Sequence, residues 1–207
     1  VVGYFPTKDG INIDSSETGR TGTVAYFQNL LTLATQNSMD IMEEASKYKG
    51  VGESSLDYVF VDRIDKLEAV PVGREVPWKP GQGIYRPDYY KMFTDLNICD
   101  WVENKGIKEV YLWTYHYDDI EPTETNMAGS WGDYSNSEHS DDLPVCSKTY
   151  IVIGLGYPDA SHIYGHHLEA IHGHIEPDLY WGKYVGPWRN YNNTGNTEAD
   201  FNRCGWT

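Results

Sequence analysis

Apolar positions in this chain form four short strand-like runs and two or three helical stripes, separated by polar stretches that glycine and proline punctuate. Val1-Val2-Gly3-Tyr4-Phe5 reads as an opening strand, closed by Pro6 and the turn-forming Lys8-Asp9-Gly10. After a polar loop, Val24, Phe27, Leu31, Ala34, Ser38, Ile41, Ala45 and Tyr48 recur at three- and four-residue steps, the stripe of a long amphipathic helix that ends at Gly50. Residues 56–64, centred on Tyr58-Val59-Phe60-Val61, predict a second strand, and a loop marked by Pro71, Pro77, Pro80 and Gly83 follows. Pro87 starts a second helix, with Tyr90, Phe93, Leu96, Ile98, Trp101 and Val102 as its apolar side and Lys105-Gly106 as its stop.

Val110-Tyr111-Leu112-Trp113 predicts a central strand ending near His116, and Tyr150-Ile151-Val152-Ile153 a fourth. Gly154-Leu155-Gly156-Tyr157-Pro158 leads into a helix over 160–176, with Asp159 as N-cap and Pro177 as stop. Residues 117–147 lack helical periodicity and form an insertion too long for an ordinary connection. The order of elements predicts an α/β fold, a mostly parallel sheet with helices on both faces and a long loop insertion over about 117–147. The whole of 1–207 reads as a single α/β domain with an irregular Asn-, Gly- and Trp-rich tail from about residue 186. In such sheets ligands bind beyond the carboxyl ends of the strands, which directs attention to the segments after Phe5, Trp113 and Ile153.

Charge narrows the partners. A net charge of −15 opposes a phosphate backbone, so nucleic acid is excluded as a partner. No run of about 18 apolar residues is present, so no membrane span is expected. The start at Val1, with neither Met nor a basic leader, is that expected of a mature or trimmed chain, and the expected location is secreted or extracellular. Cys99, Cys146 and Cys204 have no Cys-x-x-Cys spacing, which excludes a zinc knuckle. Two arrangements remain, one disulfide plus one thiol or three reduced thiols. Cys99 lies in an apolar helical stretch and reads as a core residue, so the expected disulfide joins Cys146 to Cys204. Asn192-Asn193-Thr194 is a glycosylation acceptor sequence at Asn192.

Histidine carries the sharpest chemical signal. Five of the seven, His162, His166, His167, His172 and His174, fall on the expected helix over 160–176. At about 100° per residue, His162, His166, Glu169, Gly173 and Glu176 share one stripe, opposite Tyr164, Leu168, Ile171 and Ile175. His162 and His166 can bind one metal, His166 and Glu169 have a spacing used by zinc peptidases, and His116 is the candidate third ligand. The expected metal set is therefore His116, His162, His166 and Glu169, with zinc as the first candidate. Glu169, Glu176 or Asp142 would take the proton from a metal-bound water. The competing reading is a polar outer helix face. Calcium is the second candidate, because acids crowd 117–147, although no EF-hand order is present. No nucleophile elbow and no complete dinucleotide loop occurs.

Aromatics make up 14% of the chain, with 17 Tyr and 7 Trp, many in loops. Tyr115, Tyr117, Trp131 and Tyr157 are the candidate substrate-binding rings, since flat rings stack on sugars and also serve as interface anchors. Arg86-Pro87-Asp88-Tyr89, Asn97-Ile98-Cys99-Asp100, Val110-Tyr111-Leu112-Trp113, Ser135-Asn136-Ser137-Glu138, Asp142-Leu143-Pro144-Val145-Cys146, Gly165-His166-His167-Leu168-Glu169 and Arg203-Cys204-Gly205 resemble strings in uncharacterised, predicted secreted proteins. The resemblance implies export and a chain that continues beyond Thr207, and it carries no activity. Two functions follow as expectations. One is a secreted metal-dependent hydrolase acting on a glycan or peptide. The other is a non-catalytic extracellular module that binds carbohydrate or self-associates.

Overall fold

The computed structural model describes residues 1–47, 52–77, 79–117, 119–129 and 142–155, together with Ser135 and Gly165. Five strands make one sheet: β1 (Val2–Tyr4), β2 (Ile64–Lys66), β5 (Glu109–Trp113), β6 (Thr125–Ala128) and β7 (Tyr150–Gly154), in the order β2-β1-β5-β7-β6. β1 pairs in parallel with β2 and β5, β5 pairs in parallel with β7, and β6 runs antiparallel to β7 at the edge. The α/β class and the mostly parallel sheet expected from the alternating pattern are present. A separate antiparallel pair joins β3 (Val72–Glu75) to β4 (Tyr85–Pro87).

Alternation along β1 sends neighbouring side chains to opposite faces of the sheet. Val2 and Tyr4 join a core built with α3 (Tyr89–Asp95), α4 (Ile98–Asn104), Val110, Leu112, Tyr150 and Val152. Phe5 joins the other core, with Val24, Phe27 and Leu31 of α2 (Val24–Ala45) and with Tyr111, Ile151 and Ile153. The strands are therefore apolar on both sides, as central parallel strands must be. Gly3 lets α2 approach β1, since a Cβ there would lie 2.8 Å from the Leu31 side chain.

The long helix starts at Thr23, whose side chain accepts from the N–H of Tyr26. It buries Val24, Phe27, Leu31, Thr35 and Ser38, whereas Ile41, the next residue of the expected stripe, is 46% exposed. Length explains the difference. Twenty-two residues of helix extend about 33 Å, and a five-residue strand only about 17 Å, so the last turns run past the sheet.

Other expectations are corrected. The second strand covers Ile64–Lys66, not 56–64, because the register Val2↔Ile64 carries the residues before Asp62 past Val1. The single helix from Pro87 is two helices. Pro87 closes β4, Asp88 caps α3 by accepting from Lys91 N–H, and Asn97 at φ 51° breaks the chain before α4. The loop after Phe5 holds a short helix, α1 (Ser15–Thr18), capped by Asp14. β6 falls inside 117–147, and residues 118, 130–134 and 136–141 of that stretch lie outside the described residues. Gly165 is the one described residue of the expected helix over 160–176, and it is helical.

The cysteine pairing is also corrected. Cys99 bonds to Cys146, with S–S 2.05 Å and Cα–Cα 5.2 Å, which overturns the expected Cys146–Cys204 bond. Cys99 sits on the first turn of α4 and Cys146 in the loop that enters β7, and both elements pack beside β5 on the same face. That neighbourhood is created by the strand order and is invisible in the local sequence. Cys204 lies outside the described residues.

Candidate functional site

The strand order reverses direction between β1 and β5, so the crevice beyond their carboxyl ends is where an open α/β sheet offers a ligand site. Three sequence-predicted residues lie there in succession, and they divide by burial. Tyr115 is 3% exposed and its hydroxyl accepts the Val70 N–H at 2.9 Å. Burial pushes its phenol up to about 12. It fastens the chain after β2 to the sheet edge. His116 and Tyr117 are exposed. The Tyr117 ring lies over Gly19, where a Cβ would come within 2.2 Å of it, and Gly19 itself holds φ +64° as the C-cap of α1. Behind them the guanidinium of Arg20 stands 5.5 Å over the ring of Trp113, and burial lowers its pKa.

Asp142, a candidate proton acceptor, is 9% exposed and held between two arginines. Arg86, 1% exposed, lies 2.6 Å from its Oδ2, and Arg74 bonds Oδ1. The β3–β4 pair supplies both cations, Arg74 from one strand and Arg86 from the other. Two guanidinium groups therefore flank the one carboxylate. Its evident work is to join the hairpin to the segment before β7. Nearby, Tyr89 receives hydrogen bonds from the Thr123 N–H at 2.8 Å and the Thr123 hydroxyl at 3.0 Å, and burial raises its pKa.

His162, His166, Glu169, Glu176, Trp131, Tyr157 and Asn192 lie outside the described residues. Among the described residues, His116 belongs to no set of three metal-capable side chains. The one such set is Cys99, Glu103 and Cys146.

The opposite edge of the sheet carries a feature that the sequence did not single out as a site. A cleft of about 710 Å³, part of it open to solvent, lies at the amino ends of β1 and β5, with Met39, Tyr58, Phe60, Ile98 and Trp101 on its walls. The Tyr58 hydroxyl donates to Glu109 at 2.9 Å, and the Tyr58 N–H donates to Glu43 at 2.6 Å. The following residues turn outward, with Val59 75%, Phe60 51% and Val61 49% exposed. Their β-branched and aromatic character was legible as a strand, and it is that character that now faces solvent.

No family model, curated protein or solved structure matches this chain. Its chemistry is therefore argued from its own residues. Among the described residues, large exposed apolar side chains number nine aliphatic and four aromatic. Aliphatic surface suits contact with another protein better than stacking on a sugar ring.

Proposed function

We propose that this chain is a non-catalytic extracellular module that self-associates through the apolar segment leading into β2. The observation that carries the proposal is the exposure of three consecutive strand-forming residues, Val59, Phe60 and Val61, on the rim of the amino-edge cleft. Among the described residues, none of their N–H groups makes a hydrogen bond. A segment with open backbone donors and apolar side chains is a template for pairing with another strand. A second copy offers the same segment, so antiparallel pairing about a two-fold axis is self-complementary. Each copy carries −15 charges, and repulsion between copies makes the association salt-dependent.

Sedimentation velocity over a concentration series tests this directly. The expected result is a reversible dimer whose population grows with added salt and which Phe60→Asp abolishes while leaving the circular dichroism spectrum unchanged. A monomer at every concentration in high salt would sink the proposal.

A second reading keeps the carboxyl edge in view. His116 is exposed at the end of the central strand, beside the point where strand order reverses. That position suits a ligand to a hydrolytic zinc ion, with further ligands from His162, His166 and Glu169. Elemental analysis of untagged protein decides it. Stoichiometric zinc that falls in His116→Ala supports a metal-dependent hydrolase of glycan or peptide, and absence of metal in the unaltered protein removes it.

A further inference from the structure

Cys99, Glu103 and Cys146 form a cluster that neither function uses. Their ligand atoms all lie within 4.8 Å of one another. Cys99 and Glu103 stand four residues apart on α4, hence on one helix face. Cys146 approaches that face from the loop before β7, and the next residue fixes the carboxylate, because Ser147 N–H donates to Glu103 at 2.7 Å. Lys148 donates to the Glu103 carbonyl at 2.9 Å and brings a positive charge beside the cluster.

We propose that this cluster is a redox-gated metal site, a disulfide under oxidising conditions and a two-sulfur, one-carboxylate site for zinc or a similar thiophilic divalent ion once reduced. A dithiol reductant supplies two electrons and two protons to the Cys99–Cys146 bond, leaves as a cyclic disulfide, and yields two thiols. The metal ion then displaces both thiol protons, so two protons are released for each ion bound. Two thiolates and a carboxylate around a divalent ion leave one net negative charge, which Lys148 faces. The 5.2 Å between the Cα atoms leaves the sulfurs room to part to the roughly 3.8 Å that two Zn–S bonds of about 2.3 Å require. A tetrahedral ion would take its fourth ligand from water. A disulfide oxidant reverses the process: it takes two electrons from the two thiolates and two protons from solvent, leaves as a dithiol, and the ion is expelled as the Cys99–Cys146 bond re-forms.

The test uses the full chain with Cys204→Ser, so that only this pair supplies thiols. It is reduced by a dithiol, desalted without oxygen and titrated with cobalt(II), then zinc. The expected result is thiolate-to-cobalt charge-transfer absorption saturating at one ion per chain, displaced by zinc, with two protons released per ion. Cys146→Ser should abolish the absorption, and Glu103→Gln should weaken binding by roughly tenfold or more. The oxidised chain should bind none. If reduction alone unfolds the chain, recovery of the native spectrum on adding zinc supports the site. Verified free thiols with no absorption, no recovery of fold on adding zinc, or wild-type affinity in Glu103→Gln each overturn it.

Discussion

Breaking the Cys99–Cys146 bond should cost this chain about 4 kcal/mol of stability in the absence of metal. The bond closes a loop of 47 residues, and closing a loop of that length removes roughly 14 cal/mol/K from the unfolded chain, or about 4 kcal/mol at 25 °C. The bond crosses from α4 to the entrance of β7, so the loop contains β5, β6 and the segment bearing Asp142. Cys146 is 4% exposed and packs with Tyr150, Val102 and Leu143, which makes alanine the cleaner replacement than serine. Urea titrations of the oxidised chain and of Cys99→Ala with Cys146→Ala, both with chelator present, measure the loss. The slope against urea should also rise, because an uncrosslinked unfolded chain exposes more surface. A loss under about 1 kcal/mol with an unchanged slope would refute the chain-entropy argument. It would mean that the unfolded chain already holds α4 and the β7 entrance together.

Three further outcomes follow from particular contacts. Gly19→Ala and Gly10→Ala both place a side chain at positive φ, +64° and +74°, but only the first meets the Tyr117 ring. Thermal melts should show Gly10→Ala costing about 1 kcal/mol and Gly19→Ala distinctly more, with altered Tyr117 fluorescence. Asp142→Asn leaves the Arg86 guanidinium buried beside a neutral amide. Chemical denaturation should show a loss of about 3 kcal/mol, the low end for a broken buried pair. Alkaline stability should decline earlier than tyrosine ionisation in the folded protein. Burial raises Tyr4 and Tyr115 to about 12 and raises Tyr150 as well. Unfolded phenols ionise near 10. Between about pH 10 and 12 the unfolded chain has therefore lost protons that the folded chain retains, and stability falls as pH rises. Urea midpoints at stepped pH, set beside phenolate absorbance, check the order of the two events.

The elements legible in the sequence were those whose burial is total or whose period is long. β1, β5 and β7 are apolar on both faces, and α2 repeats its stripe for 22 residues. Val-Gly-Arg-Glu and Tyr-Arg-Pro are polar, proline-bearing runs that become strands only by pairing with each other, so β3 and β4 left no local trace. The same rule in reverse undid 56–64, where strand-forming residues meet no partner strand among the described residues before Ile64. Asn97 was the available sign of the break between α3 and α4, being the residue type that best tolerates positive φ after glycine. At the sites, the type of residue was readable and its company was not. Asp142 stood out as one acid among many, whereas Arg74, which clamps it, comes from 68 residues earlier in the chain. Tyr115 was readable as a candidate ring, but its partner was not, since the Val70 N–H that donates to its hydroxyl lies 45 residues earlier.

The overhanging end of α2 has a consequence for how the molecule opens. Beyond Ser38 the helix has little sheet beneath it, yet its last turn is not idle. Glu43 accepts the Tyr58 N–H, and the Ser46 hydroxyl accepts the N–H groups of Ser55 and Leu56 at 2.9 and 3.0 Å. Met39 and Met42 are the residues of that end that still pack against the core, so much of its order is shared with the segment it holds. The two should exchange their amide hydrogens together, at a free energy well below that of global unfolding. A protease given time would then cut near Val59 and release nothing under native conditions, because β1 on the N-terminal piece stays paired with β2 and β5 on the other; in denaturant the two pieces should part, since both disulfide cysteines lie on the C-terminal piece.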